Sequence, residues 1–198
     1  MEYKMIVLDL DGTLTNRDKI ITPRTKQALM EAQKMGKIVV LASGRPTAGI
    51  KPLAEELELA AYGSYILSYN GGMITNCGTG EVVFSSLLPV DSNEKIIGLA
   101  EEHRVDILTY EDSRIITNNA ECPYGKLESR INSMEVVEKA DLASYVDFPV
   151  PTNRSPALEK RFAHLSVLPA FFPGDYMHPR LFCGFPAATL SHPKYSVP

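Results

Sequence analysis

Hydrophobic residues along the chain come in short, dense runs separated by turn signals, and the first run organises the rest. Met5-Ile6-Val7-Leu8 is rich in β-formers and too short for a helix, so it predicts a strand buried on both faces. The run breaks into Asp9-Leu10-Asp11-Gly12-Thr13, where Gly12 permits a sharp turn. Thr22-Pro23 is a helix start, with threonine as N-cap and proline at the first helical position. Ala28, Leu29, Ala32 and Met35 then fall at helical spacing, and Gly36 supplies the stop. Lys37 to Ala42 predicts a second buried strand. Strand, helix and strand in about 40 residues make a βαβ unit, for which parallel pairing and a right-handed crossover are the default.

Ser43-Gly44-Arg45-Pro46 leads into a helix over 47–59 with Ile50, Leu53, Ala54 and Leu57 on one face, and Pro52 offers an alternative start. Tyr65 to Tyr69 predicts a third strand. Asn70-Gly71-Gly72 then favours a hairpin into the strands Met73-Ile74-Thr75 and Val82-Val83-Phe84. From Pro89 the pattern becomes an α+β alternation. A helix capped by Asp91 runs to Glu102 with Ile96, Ile97, Leu99 and Ala100 inward. Strands follow over 105–110 and 114–117, then a helix over 124–131 and an extended Glu135-Val136-Val137.

The chemistry sits where the strands end. Alternation points Asp9 and Asp11 the same way if extended geometry holds through Leu10, at the carboxyl end where open α/β sheets bind ligands. Two close carboxylates repel when both are ionised, and a hard dication or a shared proton relieves them. One can attack a phosphoryl group while the other donates a proton to the leaving oxygen and later activates water. An acidic turn after a buried strand is the plain structural alternative. The Ser43 hydroxyl and the backbone N–H groups of a glycine turn can hold a phosphate oxygen, with Arg45 adding charge-assisted hydrogen bonds. Ser-Gly-Xaa-Pro is also an ordinary loop.

Asp9-Leu10-Asp11-Gly12-Thr13 resembles the first motif of the haloacid dehalogenase superfamily of phosphatases. Ser43-Gly44-Arg45-Pro46, one crossover later, resembles the second motif in the form found in Cof-type, C2-capped sugar phosphatases, and Asn70-Gly71 resembles a motif beside that group's substrate. The resemblance implies an α/β fold, with a partial Rossmannoid parallel-sheet core over 1–86, an inserted α+β C2 cap over 87–168 and a divergent tail over 169–198. It implies Asp9 as nucleophile, Asp11 as acid/base and magnesium held by both. It also implies substrate contacts from Leu10, Ser43, Gly44, Arg45, Asn70 and Gly71. The implied reaction is magnesium-dependent hydrolysis of small phosphorylated metabolites, sugar phosphates in particular, through an aspartyl-phosphate. A phosphomutase and a non-catalytic phosphate-binding module remain as alternatives.

Composition adds boundaries. At 44% hydrophobic, 22% charged and a net charge of −4, the chain is ordinary globular material with no argument for nucleic acid. No early apolar run is long enough for a signal-peptide core and none reaches membrane-spanning length, which points to a cytoplasmic protein that leaves membranes alone. Cys77, Cys122 and Cys183 are widely spaced and odd in number, and read as reduced thiols. The histidines, spread as His103, His164, His178 and His192, form no local metal motif. After Pro151 the balance changes, with Arg154, Lys160, Arg161, Arg180 and Lys194 against Glu159 and Asp175. Ala157 to Phe162 resembles a cap helix leading into a strand at Leu168, and beyond that the resemblance stops. The family pattern next needs a lysine and a Gly-Asp pair followed by another aspartate; Lys160, Lys194 and Gly174-Asp175 do not stand in that setting.

Overall fold

The computed structural model describes residues 3–151 and the short strand Ser166–Val167, and the sequence expectations for the remaining tail, including Lys160, Gly174-Asp175, Cys183 and Lys194, lie outside the described residues. Met5–Asp9 (β1), Pro23–Lys34 (α1) and Ile38–Ala42 (β2) form the expected βαβ unit, with the strands parallel from Met5↔Ile38 to Asp9↔Ala42. Thr22 caps α1 by accepting from the Thr25 N–H at 3.3 Å, and Pro23 occupies the first turn. The inward face of α1 differs from the periodicity reading. Leu29 and Gln33 are buried, whereas Met35 is 74% exposed because it lies past the last turn, as the C-cap. Gln33 can be buried because its amide donates to the Leu57 carbonyl at 2.9 Å and its oxygen accepts from the Ser64 hydroxyl at 3.3 Å.

Thr47–Glu56 (α2) starts at Thr47 and keeps Pro52 inside, at the cost of the bond that the missing N–H would have given the Ala48 carbonyl. Tyr65–Ser68 (β3) adds a parallel strand to β2, and Met73–Asn76 (β4) and Val82–Ser85 (β5) complete an antiparallel hairpin and edge. Among the described residues the sheet runs β1-β2-β3-β4-β5. Ile6, Leu8, Val39, Leu41 and Ile66 share one core with Leu29 of α1 and Ile50 and Ala54 of α2. The expectation of a first strand buried on both faces is overturned: Met5 and Val7 are 50% and 56% exposed. The reason is topological, since β1 stands at the edge of the described sheet and no helix among the described residues covers its second face.

Leu87–Leu88 (β6) leads into the second unit. Val90–Glu102 (α3) begins after Pro89, which is the N-cap in place of Asp91; Asp91 lies inside the first turn, where its charge favours the amino end of the helix dipole. Ile107–Glu111 (β7), Arg114–Thr117 (β8), Pro123–Asn132 (α4) and Glu135–Glu138 (β9) follow, with α4 as the crossover between the parallel β8 and β9. Leu142–Tyr145 (α5) and Val150–Pro151 (β10) return the chain, β10 pairing antiparallel with β6. Ser166–Val167 (β11) adds to β7, so a strand does stand near Leu168. Two-residue strands and a one-turn helix give too little periodicity to be read from sequence. Buried Asn93 of α3 ties the return segment down, donating to the carbonyls of Val146 and Phe148 at 3.2 and 3.0 Å.

The two units touch along α2 and α4. Ala48 packs with Leu108, Ile115 and Met134 from the second unit. Gly49 faces the Asn132 side chain so closely that an added Cβ would overlap the amide. Gly49→Ala is therefore expected to destabilise the protein by about 1–3 kcal/mol through overpacking, despite alanine's better helix propensity. Urea unfolding measures this, and a variant as stable as the parent would show that α4 does not rest on α2.

Candidate active site

The strand ends at Asp9, and the chain folds back at once. The Asp9 carbonyl accepts from the Leu14 N–H at 3.1 Å, and the Leu10 carbonyl accepts from the Thr15 N–H at 2.9 Å and the Thr15 hydroxyl at 3.0 Å. Gly12 makes this possible with φ +86°. Extended geometry therefore does not run through Leu10, and Asp11 comes beside Asp9 by the turn instead of by strand alternation. Leu10 is fully buried in the core, so its side chain cannot reach a ligand; its N–H holds the Asp9 carboxylate.

Arg45 is the centre of the site. Its guanidinium is 8% exposed and grips Asp11 with two N–H groups, Nε to Oδ2 at 3.2 Å and Nη2 to Oδ1 at 2.6 Å. Its third group, Nη1, donates to the Ile131 carbonyl near the end of α4 at 3.3 Å. Lys19 adds a second cation to Asp11 Oδ1 at 2.7 Å. Sequence reading missed Lys19, which reaches back because Asn16 accepts from the N–H groups of Asp18 and Ile20 and because Lys19 adopts φ +63°. The Asn16 turn was the available signal.

Ser43 and the hairpin brace this arginine from below. The Ser43 hydroxyl accepts from the Arg45 N–H at 3.2 Å, the Ser43 carbonyl accepts from the Asn70 N–H at 3.1 Å, and the Arg45 carbonyl accepts from the Tyr69 N–H at 3.0 Å. Asn70-Gly71 is thus the expected hairpin connection, and its main chain also fixes the Ser43-Gly44-Arg45 turn. Tyr69, Asn70 and Gly71 all take positive φ, a costly conformation for a tyrosine, and it seats the Tyr69 ring against Tyr110 of β7 with centroids 6.0 Å apart.

The electrostatics separate the two aspartates. Burial raises the Asp9 carboxyl, the Leu10 N–H lowers it, the charge of Asp11 raises it again, and the net direction is upward. Burial would also raise Asp11, but hydrogen bonds from Arg45 and then Lys19 outweigh it and hold Asp11 below the ordinary range. Above them lies a third acid that sequence reading did not single out. Glu128 of α4 is buried, accepts from the Tyr110 hydroxyl at 3.1 Å and from Asn132 Nδ2 at 2.8 Å, and has its carboxyl raised chiefly by burial, with Arg45 opposing and Asp11 adding to the shift.

A hard dication fits this donor set in one respect. Among the described residues no cation pairs with Asp9, so its carboxylate is open to a metal, while that of Asp11 is already committed to Arg45 and Lys19. Among the described residues no three ligating side chains gather, so water and substrate oxygens would supply the remaining coordination.

The chain resembles known proteins in sequence and in fold. The chain is 41% identical over 91 residues to a Streptococcus pyogenes protein, covering 46% of this chain and 34% of that one. It is 28% identical over 116 residues to the pyridoxal phosphate phosphatase YbhA of Escherichia coli, covering 59% of this chain and 42% of the relative. The crystal structure of a haloacid dehalogenase-like hydrolase from Bacteroides thetaiotaomicron superposes with a TM-score of 0.72 at 43% identity, covering 75% of this chain and 56% of that one. The chain spans less than half the length of the curated relatives it matches. The model of the haloacid dehalogenase-like hydrolase family matches residues 6–167, and the chain belongs to that family.

Proposed function

We propose that this chain carries the nucleophile-bearing part of a magnesium-dependent phosphatase for small phosphorylated metabolites, sugar phosphates in particular. The observation that carries the reading is the asymmetry of the acidic pair. Asp9 at the end of a parallel strand pairs with no cation among the described residues, and Asp11 beside it is clamped by Arg45 and Lys19. A carboxylate engaged by two cations is a poor attacking group, which leaves Asp9 as nucleophile and Asp11 as acid/base.

In the reading, an Asp9 oxygen forms a bond to phosphorus as the bond to the ester oxygen breaks, and Asp11 in its acid form gives that oxygen a proton. Water then attacks the aspartyl-phosphate, Asp11 takes a proton back, and inorganic phosphate leaves with Asp9 restored. The second step suits Asp11 as the structure holds it, ionised. The first is opposed by the three hydrogen bonds that Arg45 and Lys19 give the carboxylate, so it requires Arg45 to loosen its grip. A magnesium ion held by the Asp9 carboxylate would lower the pKa of that group and offset charge on the transferring phosphoryl group. The relative YbhA bears the name of a pyridoxal phosphate phosphatase, and a subclass IIB sugar phosphatase shares the fold at a TM-score of 0.52, which supports a small phosphomonoester as substrate.

Three outcomes test the reading. Asp9→Asn should abolish magnesium-dependent phosphate release from a generic phosphomonoester while leaving the circular dichroism spectrum unchanged; near-parental release would exclude Asp9 as nucleophile. Asp11→Asn should reduce release by about 10²–10⁴, the ordinary contribution of general acid–base catalysis. Calorimetric titration should show weak magnesium binding that Asp9→Ala weakens further, and an isotherm unchanged by that substitution would locate the ion elsewhere.

A further inference from the structure

Arg45 does more than neutralise Asp11, because its three hydrogen bonds go to two different bodies. Nε and Nη2 hold the aspartate on the β1 turn, while Nη1 holds the Ile131 carbonyl of α4, in the unit that covers the turn. The guanidinium is planar and rigid, so a shift that improves one contact disturbs the other. We propose that Arg45 is a positioning residue that couples the state of Asp11 to the seating of α4: the cap helix is held down while Asp11 is held by Arg45, and releasing either releases the other.

Four observations converge on this. Arg45 is buried with its main chain fixed at both ends of the turn, through the Ser43 hydroxyl and the Tyr69 N–H, so its side chain has one direction to extend. The α4 face that meets it is polar and buried, with Glu128 and Asn132 there and Asn132 Oδ1 without a hydrogen-bond partner among the described residues. Glu128 senses the charges of both Arg45 and Asp11, so it belongs to the same electrostatic group although it sits on the other unit. Other contacts between the units include Ala48 in an apolar cluster, Gly49 against Asn132, and the tilted Tyr69–Tyr110 pair. The buried charge-assisted bond from Arg45 adds a directional tie between α4 and the first unit. The consequence for turnover rests on the phosphatase reading above: substrate entry lifts α4, Arg45 loosens, and Asp11, then held by Lys19 alone, comes closer to the acid form that the first step needs. The coupling itself does not depend on that reading.

Coupling between two sites is reciprocal, which gives a test without catalysis. Amide hydrogen exchange is followed in α4 of the full 198-residue chain, with the β2 and β3 amides as internal reference. Arg45→Met should speed exchange in α4 about tenfold or more relative to the reference amides, the effect of losing one hydrogen bond to a charged group. Asp11→Asn should do the same in kind, although no hydrogen bond or ion pair links the Asp11 side chain to α4. The double variant should exchange no faster than Arg45→Met alone. Arg45→Lys, which keeps the charge and loses the fork, should not restore protection. Unchanged α4 exchange in Asp11→Asn, or additive effects in the double variant, would overturn the coupling and leave Arg45 as a local brace. If a substitution unfolds the chain, the reference amides exchange as well, and Arg45→Lys with Asp11→Asn then decides the question. Coupled exchange in a chain that releases no phosphate would sink the phosphatase reading and leave this inference standing.

Discussion

The ion pair between Arg45 and Asp11 is the interaction on which the site depends. Both side chains are nearly withdrawn from water, at 8% and 11% exposure, so neither charge can be left alone without a large desolvation cost. That constraint dictates the surroundings. The Ser43 turn must aim Arg45, the hairpin at Tyr69-Asn70 must hold the Ser43 turn, and the turn after β1 must bring Asp11 around a buried Leu10. The strained Tyr69 belongs to the same scheme, because its left-handed backbone lets one residue both brace Arg45 and offer a ring to Tyr110. The net effect is to make two neighbouring aspartates chemically different.

Sequence made much of this legible, and the physical reasons show in particular residues. The βαβ unit, the Thr22-Pro23 start and the Asn70-Gly71 hairpin all rest on short-range signals, where backbone preference and periodicity act within a few residues. Asp9, Asp11, Ser43 and Arg45 stood out because polar residues at the ends of buried strands are informative. Local pattern could not show that Gln33 would be inside and Met35 outside, since a distant carbonyl and serine decide the first and a helix end the second. Nor could it show the exposure of Met5 and Val7, which depends on where β1 falls in the sheet order. Glu128 was hidden for the same reason, since it comes near Asp11 through packing that no spacing encodes, whereas Lys19 had a local signal in the Asn16 turn.

The described cations of the site are already engaged. Among the described residues, the cations nearest the pair are Arg45 and Lys19, and both bind Asp11, so neither is disengaged to stabilise a phosphoryl group in flight. A preorganised contact of that kind is worth about 10²–10³ in rate.

The central claim is that Asp9, and not Asp11, forms the bond to phosphorus. The most direct measurement is to incubate the chain with magnesium and a reactive small acyl phosphate, quench in acid and map the phosphorylated residue by peptide mass spectrometry. The account predicts a phosphoryl adduct on Asp9 that disappears when hydroxylamine cleaves the acyl phosphate. An adduct on Asp11, or a stable one on a serine or threonine, would contradict it.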